Sequence, residues 1–183
     1  DGKGNFSELA AVNYTALHAV GLVTSATWAD INGDATKELI VVGEWMAPQI
    51  FTYKNNQFVA LTTGLENLQG WWQAVAAADL DGDGDTDFIL GNMGENTYLQ
   101  PNATNPVKMW MNDFDGNGAP EKIISRTIDG QDMPVFLKRD LTEQVVSLKK
   151  ENLKHVDFAK KPIQQLFNAA AMKNVQVKTF NYN

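Results

Sequence analysis

Cysteine is absent from the 183-residue chain, and only two histidines are present, His18 and His155. Disulfide bonds are therefore excluded, and sites for soft metals are disfavoured because those metals need Cys or His ligands. The sequence also lacks the run of about 18–20 apolar residues that a transmembrane helix needs. Basic residues are outnumbered, with 15 Lys and Arg against 22 Asp and Glu and a formal net charge of −7. This balance disfavours nucleic acid as the main partner, since nucleic acid requires a basic face.

The sequence contains a nine-residue motif three times. "DINGDATKE" is motif 1 (Asp30–Glu38), "DLDGDGDTD" is motif 2 (Asp79–Asp87) and "DFDGNGAPE" is motif 3 (Asp113–Glu121). Each has an acid first, an apolar residue second, Asp or Asn third and fifth, Gly fourth and an acid ninth. A signature that recurs every 20–50 residues or so is typical of propellers, solenoids and arrays.

Short apolar runs flank each motif, for example "SATWAD" before motif 1 and "LIVVGEW" after it. Such runs, bounded by Gly and Asn, predict strands, so each motif should join two strands. Asn55-Asn56 and Asp129-Gly130 have the residue types of two-residue hairpin turns. Repeat 1 then has about four strands, which is one propeller blade, whereas repeat 2 is too short for a full blade.

The residue pattern changes from strand-like to helical near Asp140. "DLTEQVVSLKKENL" has apolar residues at helical spacing (Leu141, Val145 and Leu148), and "VDFAKKPIQQLFNAAAM" predicts a second helix. Asp140 with Glu143 resembles a capping box, and Asp157 could cap the second helix. "NVQVKTFNYN" predicts a strand, for which we expect no pairing partner within the chain. That strand, and an N-terminus without an initiator Met or leader pattern, lead us to expect part of a longer chain.

The predicted fold is therefore mainly β, a partial propeller of blades with a C-terminal helical segment. Its segments are an N-terminal linker or partial blade (1–20), the blades (21–139), a helical insertion (140–172) and the start of a further strand (173–183). With three motifs, a closed ring from one copy is doubtful, so another copy or the rest of a longer chain would complete the fold.

The motifs have the donor set of a hard cation site. Ca²⁺ binds 6–8 oxygens from carboxylates, amides, carbonyls and water, whereas Mg²⁺ prefers a smaller shell with several waters. Eleven of the 22 acidic residues lie in the motifs. We predict up to three Ca²⁺ ions, bound by side chains at positions 1, 3, 5 and 9 and by the carbonyl at position 7. These ligands are Asp30, Asn32, Asp34, Thr36 and Glu38; Asp79, Asp81, Asp83, Asp85 and Asp87; and Asp113, Asp115, Asn117, Ala119 and Glu121.

The motifs allow two other interpretations. An EF-hand needs a bidentate Glu at position 12 and flanking helices, but position 12 is Val41, Leu90 or Ile124, within apolar runs. Alternatively, the motifs are polar turns that bind nothing, since Asp, Asn and Gly are common turn residues. Motif 1 is expected to be the weakest site, because Ala35 stands where motifs 2 and 3 have glycine and a positive φ would strain it.

The loops and their flanking strands resemble the calcium loops of FG-GAP/VCBS repeats, which form the blades of integrin-α-like β-propellers. The bacterial VCBS-repeat proteins related to ASPIC/UnbV proteins are the nearest likeness, over roughly residues 21–167. Propellers of this kind have about seven blades. The resemblance implies calcium-stabilised blades, a secreted or cell-envelope location, and binding rather than catalysis.

Two functions remain open at this point. The first is a non-enzymatic calcium-binding repeat module that binds a protein or glycan, as in adhesion. The alternative is part of a calcium-dependent polysaccharide-active enzyme, since lyases with similar propellers exist. The sequence shows no convergent catalytic set for the second function, which must be argued from a site rather than a fold.

Overall fold

The computed structural model describes residues 3–5, 7–94 and 97–181. It divides into two compact units, residues 1–96 and 97–183. Both units are built on antiparallel strands, which confirms the mainly β fold class. The other residues, which include parts of the predicted terminal segments, lie outside the described residues. Among the helices of the described ranges, none has both the length and the apolar character to cross a bilayer.

The first unit begins with a short 3-10 helix and continues with six strands. Their bounds are Ala11–Leu17 for the 3-10 helix, then Leu22–Ala29 (β1), Glu38–Met46 (β2), Gln49–Lys54 (β3), Gln57–Ala60 (β4), Gly70–Ala78 (β5) and Asp87–Asn92 (β6). Strands β1, β2, β3 and β4 pair in succession, which confirms the four strands expected for repeat 1. Strand β5 pairs with the far end of β2 and with β6. Within residues 7–94, repeat 2 has only these two strands, as expected.

Strand β2 is the centre of the first unit because its sequence is apolar on both faces. Successive residues of a strand point to opposite sides. Ile40 accordingly packs with Ala29 and Ile50 on one face, and Val41 packs with Phe51 on the other. Near the end of β2 the first strand comes so close that a Cβ at Gly43 would collide with a backbone carbonyl.

Both predicted hairpin turns are confirmed. Asn55 and Asn56 have φ of 51° and 60°, and the strands pair again at once on either side of them. Asp129 and Gly130, with φ of 50° and 75°, make the same kind of turn in the second unit. Positive φ at both central residues is what a two-residue turn needs to follow the twist of its strands.

The second unit is a four-stranded sheet covered by short helices. The bounds are Val107–Asn112 (β7), Glu121–Ile128 (β8), Gln131–Pro134 (β9), Lys138–Gln144 (α1), Leu148–Glu151 (α2), His155–Ala159 (α3), Ile163–Leu166 (α4), Ala169–Met172 (α5) and Gln176–Phe180 (β10). The order in the sheet is β10-β7-β8-β9. The last strand was expected to find no partner within the chain, and this was wrong. It pairs with β7 from Gln176 to Phe180.

The helical segment confirms the predicted core stripe but corrects the helices. Leu141, Val145 and Leu148 are buried against Trp110 and Ile123 of the sheet. The first predicted helix nevertheless breaks after α1, where Val145 leaves helical geometry (φ −119°, ψ 90°). A pair of β-branched valines at 145–146 disfavours the helix there.

The second predicted helix is in fact three short ones. Pro162 precedes α4 in an extended conformation (φ −65°, ψ 164°), and its ring cannot continue a helix from α3. The predicted caps are also wrong. Helix α1 begins at Lys138, so Asp140 lies in its first turn, and Asp157 lies inside α3.

A buried charge network ties helix α4 to the sheet. The Asp132 carboxylate on β9 is 7% exposed, and the Lys108 ammonium on β7 lies 2.9 Å from its Oδ1. Gln164 Nε2 on α4 donates to Oδ2 at 2.9 Å, and Thr127 Oγ1 donates to Oδ1 at 3.1 Å. Burial raises the pKa of Asp132, but the hydrogen bonds from Lys108 and Gln164 and the charge of Lys108 lower it by more, so the net pKa lies below its ordinary value.

We expect Asp132→Asn to lower the free energy of unfolding at pH 7 by about 2 kcal/mol, because the Lys108 charge loses its partner in a mostly buried site. Because the pKa of Asp132 is lowered in the folded state, its ionised form stabilises the fold fully at pH values above the pKa of an Asp in the unfolded chain, about 3.9. It is lost as the pH falls through the folded value. The difference from the wild type in urea unfolding should therefore shrink below about pH 4. Asp157→Asn, an exposed control, should stay within about 0.5 kcal/mol. A difference that is constant from pH 7 to pH 3 would contradict this role for Asp132.

Candidate metal centre

All three motifs are the loops of hairpins with the same register. The residue before each motif pairs with its ninth residue, as Ala29 with Glu38, Ala78 with Asp87 and Asn112 with Glu121. The loop between the paired residues therefore has the same length in every repeat. Position 12 lies in β2, β6 or β8, so strands rather than EF-hand helices flank the motifs. The sequence repeat is thus also a structural repeat.

The first acid of each motif holds the loop closed by accepting backbone N–H groups from positions 4 and 6. In motif 2, Asp79 Oδ1 accepts from Gly82 at 2.7 Å and Oδ2 accepts from Gly84 at 3.1 Å. Asp30 in motif 1 and Asp113 in motif 3 accept the equivalent pairs of bonds at 2.7–2.8 Å. Both oxygens of this carboxylate therefore point into the curl of the loop.

The other side-chain positions follow one scheme as well. Position 3 accepts from the N–H of position 5, and position 5 accepts from the N–H of position 7. Position 9 accepts from the N–H of position 2, at 2.9 Å between Asp87 and Leu80 and 2.8 Å between Glu121 and Phe114. Each of these bonds uses one oxygen of the side chain. The carboxylates at positions 3 and 9 therefore each have a second oxygen that this scheme does not use.

The last of these bonds, from position 2 to position 9, was not anticipated from the sequence. The only sign of it was the closing acid itself, because no residue pattern shows that the acid turns back across the loop. The bond joins the ninth residue of the motif, which is already in a strand, to the second residue at the start of the loop.

The carboxylates gather in motifs 2 and 3. Oxygens of Asp79, Asp81 and Asp87 lie within 4.8 Å of one another. The same is true in motif 3, at Asp113, Asp115 and Glu121. These are positions 1, 3 and 9, three of the four predicted side-chain ligand positions. Ionised carboxylates whose oxygens lie this close repel each other unless a cation lies between them.

Motif 1 has a different composition at the same positions. Position 3 is Asn32, whose amide Nδ2 donates to Asp34 Oδ2 at 3.1 Å. Three carboxylates therefore cannot meet at positions 1, 3 and 9 of this loop. Glu38 at position 9 is fully buried, and its Oε1 has no hydrogen-bond partner in the described part of the chain, while Oε2 accepts from Ile31 at 3.3 Å. An unpartnered buried carboxylate oxygen is unfavourable and fits a site that a cation would complete.

Hydrogen bonds favour the charged form of two motif carboxylates. The backbone N–H of Thr36 is the main cause of a lowered pKa at Asp34. The backbone N–H of Gly118 has the same effect on Asp113. Bonds to the ionised form lower a carboxyl pKa. Both groups are therefore anionic at neutral pH and available as ligands.

The remaining predicted ligands lie in the same loops but outside the clusters of three. Asp83 and Asn117 are at position 5, each accepting one backbone bond. Thr36, Asp85 and Ala119 at position 7 are exposed, and their carbonyls remain predicted ligands. The full ligand set and the ranking of the three motifs stay predictions.

Comparison with known proteins gives one family. Residues 30–90, which include motifs 1 and 2, match the FG-GAP-like repeat. Neither a curated protein nor a solved structure matches the chain. The predicted FG-GAP resemblance is confirmed for this segment.

Position 6 gives a test of loop strain. Ala35 has a φ of 66°, where Gly84 and Gly118 have 92° and 88° in the other motifs. Left-handed geometry is unfavourable for a residue with a Cβ by about 1–2 kcal/mol. Ala35→Gly should therefore stabilise the chain in thermal unfolding, by about 0.5–1 kcal/mol after the added freedom of the unfolded state is subtracted.

Gly84→Ala is the matched variant of opposite sign and should destabilise by about 1 kcal/mol. If Ala35→Gly were destabilising as well, strain at position 6 would not distinguish the motifs.

Proposed function

Because residues 30–90 carry an FG-GAP-like repeat, we propose that the chain is a calcium-binding repeat module of a secreted or cell-envelope protein. Its role would be to bind a protein or glycan partner, as in adhesion, rather than to catalyse a reaction. The observation that carries the calcium proposal is the gathering of carboxylates from positions 1, 3 and 9 in motifs 2 and 3. Three hairpins with one register and one hydrogen-bond scheme support the same function for all three loops.

The choice of Ca²⁺ follows from the donor chemistry. The motifs offer only oxygen donors, from carboxylates, amides and carbonyls, which are the ligands of hard cations. The predicted set of four side chains and one carbonyl leaves room for water in a shell of 6–8 ligands. Mg²⁺ would need a compact octahedron with fewer protein ligands. The backbone bonds to the first carboxylate already hold each loop curled, with its side-chain oxygens on the inner side.

In motif 1, a buried carboxylate oxygen supports Ca²⁺ binding. Positions 1, 3 and 9 of this loop have two carboxylates instead of three, but Glu38 brings a buried oxygen that lacks a hydrogen-bond partner within the described residues. A cation at the centre of the loop would supply the missing interaction. Asp30, Asp34, Glu38 and the Asn32 carbonyl oxygen would hold the ion, with the backbone carbonyl of Thr36.

The bound ions would be structural. Each would neutralise like charges within one hairpin and so fix the loop that joins two strands of a blade. Extracellular modules bind Ca²⁺ with dissociation constants of about 10⁻⁴–10⁻³ M, so the ions would be bound outside the cell, where Ca²⁺ is abundant. A rigid set of loops is then a suitable frame for a partner-binding surface.

Calcium removal tests the proposal directly. A ligand that binds only the folded state stabilises it by about 2.7 kcal/mol at a concentration 100 times its dissociation constant. The chain should therefore melt several degrees higher in 10 mM CaCl₂ than in EDTA. MgCl₂ at equal concentration controls for ionic strength and should restore much less. Equal melting temperatures in Ca²⁺ and EDTA would contradict the calcium proposal.

Two neighbouring acids of motif 2 test the proposed ligand positions. Asp83 would bind the ion through its side chain, whereas Asp85 would bind through its backbone carbonyl. Asp83→Asn should therefore weaken Ca²⁺ binding by about tenfold, since a charged ligand is lost. Asp85→Asn removes the same charge and should weaken binding by no more than about twofold to threefold, through the longer-range field. Isothermal titration calorimetry measures both, and equal losses would show that the assigned ligand positions are wrong.

A further inference from the structure

One cavity of the second unit lies away from the calcium motifs. It has a volume of about 580 Å³ and is formed by the end of β8, strand β9, the chain leading into α1, and helix α3. Tyr98 also lines it and is 70% exposed. This volume is within the range of about 300–1,000 Å³ found for small-molecule sites.

The lining of this cavity is mainly apolar. It includes Ile128 and Met133 of the sheet, Phe136 and Leu137 beyond β9, and Phe158 of α3. Several of these side chains remain in contact with solvent. Leu137 is 70% exposed and Ile128 is 39% exposed. Apolar walls with a few polar groups are typical of sites for organic ligands.

The charged side chains of the lining are all basic. They are Arg126 and Lys138, beside the polar rings of Tyr98 and His155, and none of the lining residues is Asp or Glu. This is unusual in a chain where acids outnumber bases by 22 to 15. The cavity therefore has the opposite charge to the chain as a whole.

Arg126 is the group best placed to bind an anion. Within the described residues its guanidinium makes no ion pair, whereas the other arginine, Arg139, pairs with Asp140 and Glu143. Asp129 lines a smaller cavity that also includes Arg126, but the two are not paired. Lys138 donates to the Leu153 carbonyl at 2.8 Å, which holds its ammonium beside the cavity.

We propose that this cavity binds a small organic acid, a carboxylate attached to an aromatic or alkyl body. Its carboxylate would pair with the guanidinium of Arg126, which can donate two parallel hydrogen bonds. Its body would cover Ile128, Leu137 and Phe158. The proposal does not depend on calcium, because the cavity contains no residue of the three motifs.

The test is a titration of the ¹⁵N-labelled chain in Ca²⁺ buffer with 4-phenylbutyrate, followed by NMR, beside the neutral 4-phenylbutanol. The acid should cause saturable shifts at the residues of the cavity, with a dissociation constant at least about tenfold below that of the alcohol. That ratio is expected because the carboxylate can accept two charge-assisted hydrogen bonds from the guanidinium of Arg126, which the neutral hydroxyl cannot do.

Variants distinguish a specific pair between Arg126 and the ligand carboxylate from a general effect of positive charge. Arg126→Gln should weaken binding of the acid by about tenfold and leave the alcohol unchanged, whereas Arg139→Gln, the matched control, should change neither by more than about twofold. Ile128→Ala should weaken both ligands alike. Equal affinity for acid and alcohol would show an apolar groove without anion selectivity. Equal losses in the two arginine variants, or shifts confined to the motifs, would also overturn the proposal.

Discussion

The carboxylate at the first position of each motif is the group on which the hairpins depend. It accepts backbone N–H groups from positions 4 and 6, and thereby bends the chain back between two paired strands. The same curl brings positions 3 and 9 beside it, so the bonds that form the loop also collect like charges. Backbone N–H groups offset part of that repulsion. A divalent cation would offset the rest, which is why the local geometry and the proposed ion belong together.

The motifs differ in the number and burial of the carboxylates that repel one another. Motif 2 exposes four of its five acids to solvent, where water and salt screen them, and it has glycine wherever φ is positive. Motif 1 has fewer charges, yet it buries Glu38 and holds Ala35 at a positive φ. A buried charge has more to gain from a counter-ion than an exposed one. Backbone strain at Ala35 predicts that motif 1 binds the ion most weakly, whereas the buried, unpartnered oxygen of Glu38 would favour ion binding there.

The features that could be predicted from the sequence are those set by near neighbours. Alternating apolar residues predict the strands, Asn55-Asn56 and Asp129-Gly130 predict turns, and the nine-residue spacing predicts the loops. The features that were missed depend on distant partners. Helix breaks at Val145 and Pro162 are offset by packing on the sheet, and the last strand pairs with β7, far back along the chain. The cavity near Arg126 is also formed by separate segments and leaves no local pattern.

The two units differ in what stabilises them. In the first unit, two motifs close hairpins of one set of strands, and among residues 7–94 the helical content is one short 3-10 helix. In the second unit, one motif is combined with a helical layer whose buried residues pack on Trp110 and Ile123, and the Asp132 network joins that layer to the sheet. Apolar burial is independent of any ion, whereas loop charge is not. Under the calcium proposal, the first unit therefore owes a larger share of its stability to bound ions than the second.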